Sequence, residues 1–151
     1  MIIVRTALEK DIPRILELYR QLSFHPEDYR VPPLEEVRKV FREMSKYPGY
    51  RLLVAEDNGQ VVGTTVLAVL PGFAHGTSPF CVVEYVVVDE SHRSRGIGKL
   101  MMDSVKSIAK EAGCYKIMLT SDIRRERAHK FYKSVGFEPS AHGFRFYFQR
   151  A

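Results

Sequence analysis

The chain has only two cysteines in 151 residues, Cys81 and Cys114, and their wide spacing excludes a disulfide framework or a zinc cluster. They read as buried free thiols, so a reducing, cytoplasmic setting is expected. No apolar stretch approaches the roughly 18 residues needed to cross a bilayer, so no membrane partner is expected. The opening Met1-Ile2-Ile3-Val4-Arg5 lacks a charged region followed by a long apolar run, and no signal peptide is expected. The histidines, His25, His75, His92, His129 and His142, show no helical i, i+4 pair, so no metal is expected. Repeats, linkers and low-complexity runs are also missing, which leaves residues 1–151 as a single domain. Disorder is excluded as the dominant state, because 45% of the residues are hydrophobic against 27% charged.

What the chain does have is basicity, unevenly placed. Residues 1–75 hold ten Lys+Arg and ten Asp+Glu, whereas residues 76–151 hold thirteen and eight. The whole net charge of +5 therefore sits in the second half. Such a half suits phosphate, nucleic acid or an anionic surface as partner. Residues 92–99 and 124–133 together carry a net +7, leaving the rest of the chain at −2. No basic residues interleave with exposed aromatics in the manner of a nucleic-acid platform, so no nucleic-acid partner is expected.

Hydrophobic periodicity places the elements. Residues 2–6 suit a first strand, followed by a helix with Ile12, Ile15, Leu16, Tyr19 and Leu22 inward. The proline-rich stretch 24–33 is a loop, and Pro32-Pro33 opens a helix with Leu34, Val37, Phe41 and Met44 inward. Strands at 51–56 and 61–70 flank Asp57-Asn58-Gly59, a strong hairpin signal. After the Gly/Pro-rich loop 71–79, residues 81–88 form an almost wholly apolar strand. A long helix carrying Ile97, Leu100, Met101, Val105 and Ile108 inward is stopped by Gly113. A strand at 115–121, a helix at 124–135 and a closing strand of alternating aromatics at 144–148 complete an α/β layer structure.

The most informative segment runs from Val86 through Asp89 to Leu100. A buried strand enters a short basic turn with two glycines, Gly96 and Gly98, and the turn opens a long amphipathic helix. Such a turn is an anion site: helix-start N–H groups and the positive dipole end point outward, and glycine lets a phosphate approach the backbone. Arg93, Arg95 and Lys99 add charge. A dinucleotide fingerprint fails because Met101 stands where its third glycine belongs. A P-loop fails because Leu100 follows Lys99 in place of a hydroxyl.

Arg93-x-x-Gly96-x-Gly98 after a strand, together with Ala128-x-x-Phe131-Tyr132-x-x-x-Gly136-Phe137, resembles the two signatures of the GCN5-related N-acetyltransferase (GNAT) superfamily. The opening Ile3-Val4-Arg5-Thr6-Ala7, with Asp11 ahead of the helix, is similar to that family as well. The resemblance spans essentially the whole chain. It implies an acyl-CoA N-acyltransferase fold, a mixed and mostly antiparallel sheet of six or seven strands flanked by four helices. It implies acetyl-CoA as co-substrate and an amine as acceptor. The pyrophosphate is then expected on Arg93, Ser94, Arg95, Gly96, Ile97, Gly98 and Lys99, and the pantetheine arm along Val86, Val87 and Val88.

The resemblance also distributes the chemistry. An ammonium must lose a proton before it attacks a thioester, the oxyanion needs a donor, and the departing thiolate needs a proton. Glu84 stands alone among apolar neighbours, where a carboxylate is costly unless used or paired, and is the candidate base. Tyr132 matches the family tyrosine that faces the CoA sulfur and is the candidate acid, with a core aromatic as its alternative. The N–H of Val86 or a neighbour is the implied oxyanion donor. Where many members place an asparagine, residues 122–127 here read Asp-Ile-Arg-Arg-Glu-Arg, offering arginines, among them Arg125, to the CoA 3′-phosphate. The compact chain favours a small-molecule amine as acceptor, in the manner of enzymes acting on amino sugars, aminoalkylphosphonates or diamines. A protein Nα or lysine acetyltransferase and a non-catalytic acyl-CoA-binding module stay open as alternatives. Many relatives are homodimers, and Phe144, Phe146 and Phe148 could feed such an edge contact.

Overall fold

Asn58 and Gly59 both take positive φ, 50° and 85°, and fold the chain back on itself in the tight hairpin that the sequence announces. The computed structural model, which describes residues 1–149, builds outward from that hairpin. In chain order the elements are β1 (Ile2–Thr6), α1 (Ile12–Leu22), α2 (Leu34–Met44), β2 (Tyr50–Asp57), β3 (Gln60–Leu70), β4 (Phe80–Val88), α3 (Ile97–Glu111), β5 (Ile117–Met118) and α4 (Glu126–Ser134). Short 3-10 turns occupy Glu9–Asp11, Pro26–Asp28 and Glu90–His92. The strands form one sheet in the order β1-β2-β3-β4-β5. Its first three junctions are antiparallel and the β4–β5 junction is parallel.

The chain forms two compact units, residues 1–118 and the segment from Leu119 onward. The first contains the whole sheet and α1 to α3. Strand alternation gives that sheet two apolar faces. Val54 and Val87 look toward α1, where they pack with Ala7, Ile15 and Leu18; Tyr19, Leu22 and Phe41 close that cluster. Gly63 looks the other way, toward α3: a Cβ there would lie 2.8 Å from Met101 Sδ. Met101, Met102, Val105 and Ala109 anchor α3 and are essentially inaccessible. The second unit holds α4 and residues 135–149.

The sheet has five strands among the described residues, not the six or seven expected. Two segments account for the difference. The strand expected at 115–121 is paired only at Ile117–Met118. The closing strand expected at 144–148 is not formed. Phe144, Phe146 and Phe148 are 90%, 84% and 95% exposed, and alternating aromatics make a strand only where a neighbour pairs the backbone and a layer covers one face. On α3, Leu100 is exposed and Met102 and Ala109 are buried in its place, because the buried stripe is centred on Met101 and Val105. No residue of α2 is fully buried, so Leu34, Val37, Phe41 and Met44 form only a half-covered face. No helix among the described residues is long and apolar enough to cross a membrane.

Candidate active site

The site begins with a defect in the ladder between β3 and β4. Thr64 faces Val87 and Val66 faces Glu84, so Thr65 is opposed by two residues, Tyr85 and Val86. Tyr85 takes the left-handed conformation, φ 54°, which costs a residue with a Cβ roughly 1–2 kcal/mol. The Thr65 hydroxyl donates to the Glu84 carbonyl at 3.2 Å and pins the bulge. A bulge leaves backbone groups outside the ladder and re-aims the side chains beside it. On its other side β4 pairs with β5 only at Cys81 and Val82. The end of β4 thus presents backbone polar groups that no strand among the described residues uses on that side. This is where the sequence placed the pantetheine arm, along Val86, Val87 and Val88. Val87 is buried and Val86 and Val88 half-buried, so what this stretch can offer a ligand is mainly its backbone.

Glu84 lies at the edge of this bulge. By register it shares a sheet face with Val66 and Leu52, the face covered by α1. It is exposed, and its carboxylate makes no hydrogen bond or ion pair among the described residues. Tyr85 follows it in the chain, and Tyr50 lies near enough for the Glu84 charge to act on its phenol. The Tyr19 and Tyr85 rings stand 5.5 Å apart, centroid to centroid. Burial raises the Tyr50 phenol above its ordinary value, and the nearby Tyr85 and Glu84 charges push it further up. The Tyr19 phenol is raised strongly, mainly by burial. An exposed carboxylate with no hydrogen-bond or ion-pair partner among the described residues suits a group that accepts a proton.

The turn after β4 has the geometry of an anion cradle. Ser94 and Gly96 both adopt positive φ, 62° and 80°, alternating with extended or helical neighbours. The first N–H used by the α3 ladder is that of Leu100, to the Gly96 carbonyl at 3.1 Å. Those of Ile97, Gly98 and Lys99 therefore precede the ladder and point out of the helix start. A Cβ at Gly96 would meet no atom within 4 Å, so this side of the turn is open to a ligand. Arg93, Ser94 and Arg95 are exposed around it. A multiply charged diphosphate fits this set of donors. Ile97 is buried, as its inward place on the helix predicts, and offers only its backbone; Lys99 is paired along the helix with Asp103 at 2.8 Å.

Sequence reasoning missed what holds this turn. Asp89, the residue directly after β4, is only 5% exposed. Burial works to raise its pKa, but hydrogen bonds from Gln21, Ser91, His92 and Arg14 outweigh this and hold the carboxyl far below the usual carboxylate range. An aspartate directly after an apolar strand reads as a plain strand stop, which is why it drew no attention. The Tyr85 bulge was equally hidden, since no glycine marks it.

Arg125 and Tyr132 belong to the second unit. Tyr132, half-buried, packs edge-on against Phe131 and Phe137 with centroids 5.3 and 5.9 Å away. Arg125 precedes the first residue of α4. Asp122 spends much of the local charge: it accepts from the Arg124 guanidinium at 2.9 and 3.1 Å and from Arg145 at 3.4 Å. These contacts, with the Arg124 backbone N–H, hold its carboxyl well below the usual range. His129 Nε2 donates to the Asp122 carbonyl at 2.8 Å and ties α4 to the segment before it. Of the loop residues near the start of β4, His75 stacks on Tyr115 at 4.0 Å and Phe73 is open to solvent. His25, Glu27 and Asp28 bring potential ligand atoms within 4.8 Å of one another, but all three are exposed.

The chain matches the family model described as "Acetyltransferase (GNAT) family" over residues 12–137. It is 31% identical over 137 residues to a glucosamine 6-phosphate N-acetyltransferase of Trypanosoma brucei brucei, covering 89% of this chain and 87% of that one. Among solved structures, a transcriptional regulator from Bacillus halodurans C-125 superposes with a TM-score of 0.90 at 27% identity, covering 98% of this chain and all of that one. The glucosamine-6-phosphate N-acetyltransferase of Arabidopsis thaliana superposes with a TM-score of 0.86 over 99% of both chains; at 23% identity it bears on the fold alone.

Proposed function

The chain belongs to the acetyltransferase (GNAT) family, and on that footing we propose which of its residues carry the reaction and what kind of amine it acetylates. It is an N-acetyltransferase that takes the acetyl group from acetyl-CoA and passes it to a primary amine. The proposed acceptor is a small amino-sugar phosphate, with glucosamine 6-phosphate the first candidate, since that is the substrate in the name of the Trypanosoma relative.

The amine arrives as an ammonium, and Glu84 takes its proton directly or through one water. The nitrogen then attacks the thioester carbon. Backbone N–H groups freed at the Tyr85–Val86 bulge steady the developing oxyanion. As the C–S bond breaks, Tyr132 gives its phenolic proton to the thiolate, and the nitrogen sheds its second proton to solvent. The turn from Arg93 to Lys99 holds the diphosphate of CoA through helix-start N–H groups. Val86 to Val88 pair the pantetheine arm through the backbone, and Arg125 meets the 3′-phosphate.

The observation that carries this reading is the unpartnered Glu84 carboxylate beside a left-handed bulge in the strand that leads into the anion turn. Thiol release from acetyl-CoA, measured over a panel of glucosamine 6-phosphate, glucosamine, an aminoalkylphosphonate, a diamine and a lysine peptide, tests it. Turnover greatest with the sugar phosphate and absent with the peptide is expected. Preference for the peptide would replace the acceptor assignment, and no release with any amine would remove the catalytic one.

A further inference from the structure

We infer that Gln21 is a positioning residue for CoA: its side-chain amide clamps the start of the anion turn to helix α1. The inference rests on the reading of that turn as the diphosphate cradle. Gln21 sits in the last turn of α1, far in sequence from the turn, yet both ends of its amide engage it. Its Nε2 donates to Asp89 Oδ1 at 2.8 Å, and its Oε1 accepts the Glu90 backbone N–H at 2.9 Å. One side chain therefore fixes two consecutive residues at the point where the chain leaves β4.

Asp89 is otherwise well provided for. Its backbone N–H donates to the Val62 carbonyl at 2.8 Å, its carboxylate lies 3.1 Å from Arg14 and accepts from the Ser91 hydroxyl, and His92 Nδ1 lies 2.7 Å away. The Asp89 carbonyl also accepts the His92 N–H at 2.8 Å, closing the 3-10 turn that delivers Arg93. Loss of Gln21 leaves the buried carboxylate hydrogen-bonded, so the fold survives. What is lost is the restraint on Glu90, and with it the aim of Ser94, Gly96 and the α3 N–H groups. An anion cradle built from backbone donors has no side-chain slack to absorb such a shift.

The experiment is calorimetric titration of Gln21→Leu, which keeps the apolar volume and removes both hydrogen bonds, with CoA and separately with pantetheine. CoA binding is expected to weaken roughly tenfold, with pantetheine binding unchanged and the protein still folded at the temperature of the titration. Gln21→Met serves the same purpose if the leucine variant does not fold. Unchanged CoA affinity, or an equal loss for both ligands, overturns the inference, the latter marking a general structural role. If the wild-type protein binds CoA no better than pantetheine, the cradle reading itself falls, and the positioning role falls with it.

Discussion

Tyr19 of α1 meets Tyr85 of the β4 bulge with ring centroids 5.5 Å apart and planes inclined at 48°. Tyr85 directly follows Glu84, the proposed base, so its ring is a proposed contact for the incoming amine. Tyr85 is half exposed and available to a ligand; Tyr19 is the support behind it. Replacing Tyr85 with alanine is expected to raise KM for the amine roughly fivefold to tenfold, the worth of one ammonium–aromatic contact. CoA affinity should not change. Steady-state kinetics with each substrate varied in turn checks this, and an effect confined to CoA would disprove it.

Glu84→Gln keeps the size of the side chain and removes its capacity to accept a proton. A fall in kcat of roughly a hundredfold is expected, with CoA binding intact. The low-pH side of the kcat/KM profile is expected to change most. A variant with the wild-type profile would return Glu84 to a structural role.

Tyr132→Phe deletes one oxygen and leaves the packing against Phe131 and Phe137 in place. Turnover is expected to fall roughly tenfold or more while CoA affinity holds. Unchanged turnover would leave Tyr132 as a core aromatic of α4.

Asp89 is expected to make stability pH-dependent. Its folded-state pKa is depressed, so its contribution is fully present above the unfolded carboxyl value of about 3.9 and is lost as pH falls below it. Asp89→Asn is expected to cost about 1–3 kcal/mol at pH 7, where the charged carboxylate satisfies Arg14 and Gln21. Urea unfolding at pH 7 and near pH 3 should show the gap between the variant and the wild type narrowing on acidification. A gap that stayed constant would contradict the assignment.

Gly49 provides a control remote from the chemistry. It has φ 76°, and a Cβ there would lie 2.6 Å from the Val69 carbonyl oxygen. Backbone cannot give way as a flexible side chain can. Gly49→Ala is therefore expected to cost about 2–4 kcal/mol by denaturant unfolding. Gly59→Ala, also at positive φ but meeting no atom within 4 Å, should cost only about 1 kcal/mol.

Local signals carried most of the architecture. Asn58-Gly59 announced the hairpin, Ile97, Met101 and Val105 announced the buried face of α3 though Leu100 did not join it, and Arg93-x-x-Gly96-x-Gly98 announced the turn. Each is written in neighbouring residues. What stayed hidden depends on distant ones. The bulge at Tyr85 exists because Thr65, on another strand, is opposed by two residues, and nothing within the run 81–88 distinguishes a bulged strand from a regular one. The Gln21–Asp89 bond joins residues 68 apart. The aromatic segment 144–148 had the alternation of a strand, but alternation states only which face a strand would bury, not whether another strand pairs with it.

The end of β4–β5 pairing at Val82 has a consequence for solubility. A sheet that opens within itself exposes backbone donors and acceptors to any stray strand, and apolar edges of that kind seed aggregation. Here the run beyond the opening, Val83 to Val88, is one of the stickiest in the chain. The left-handed Tyr85 breaks its line: an intruding strand can match the ladder for a residue or two and then loses register. A strand laid along this edge would thus meet a break in the line at Tyr85.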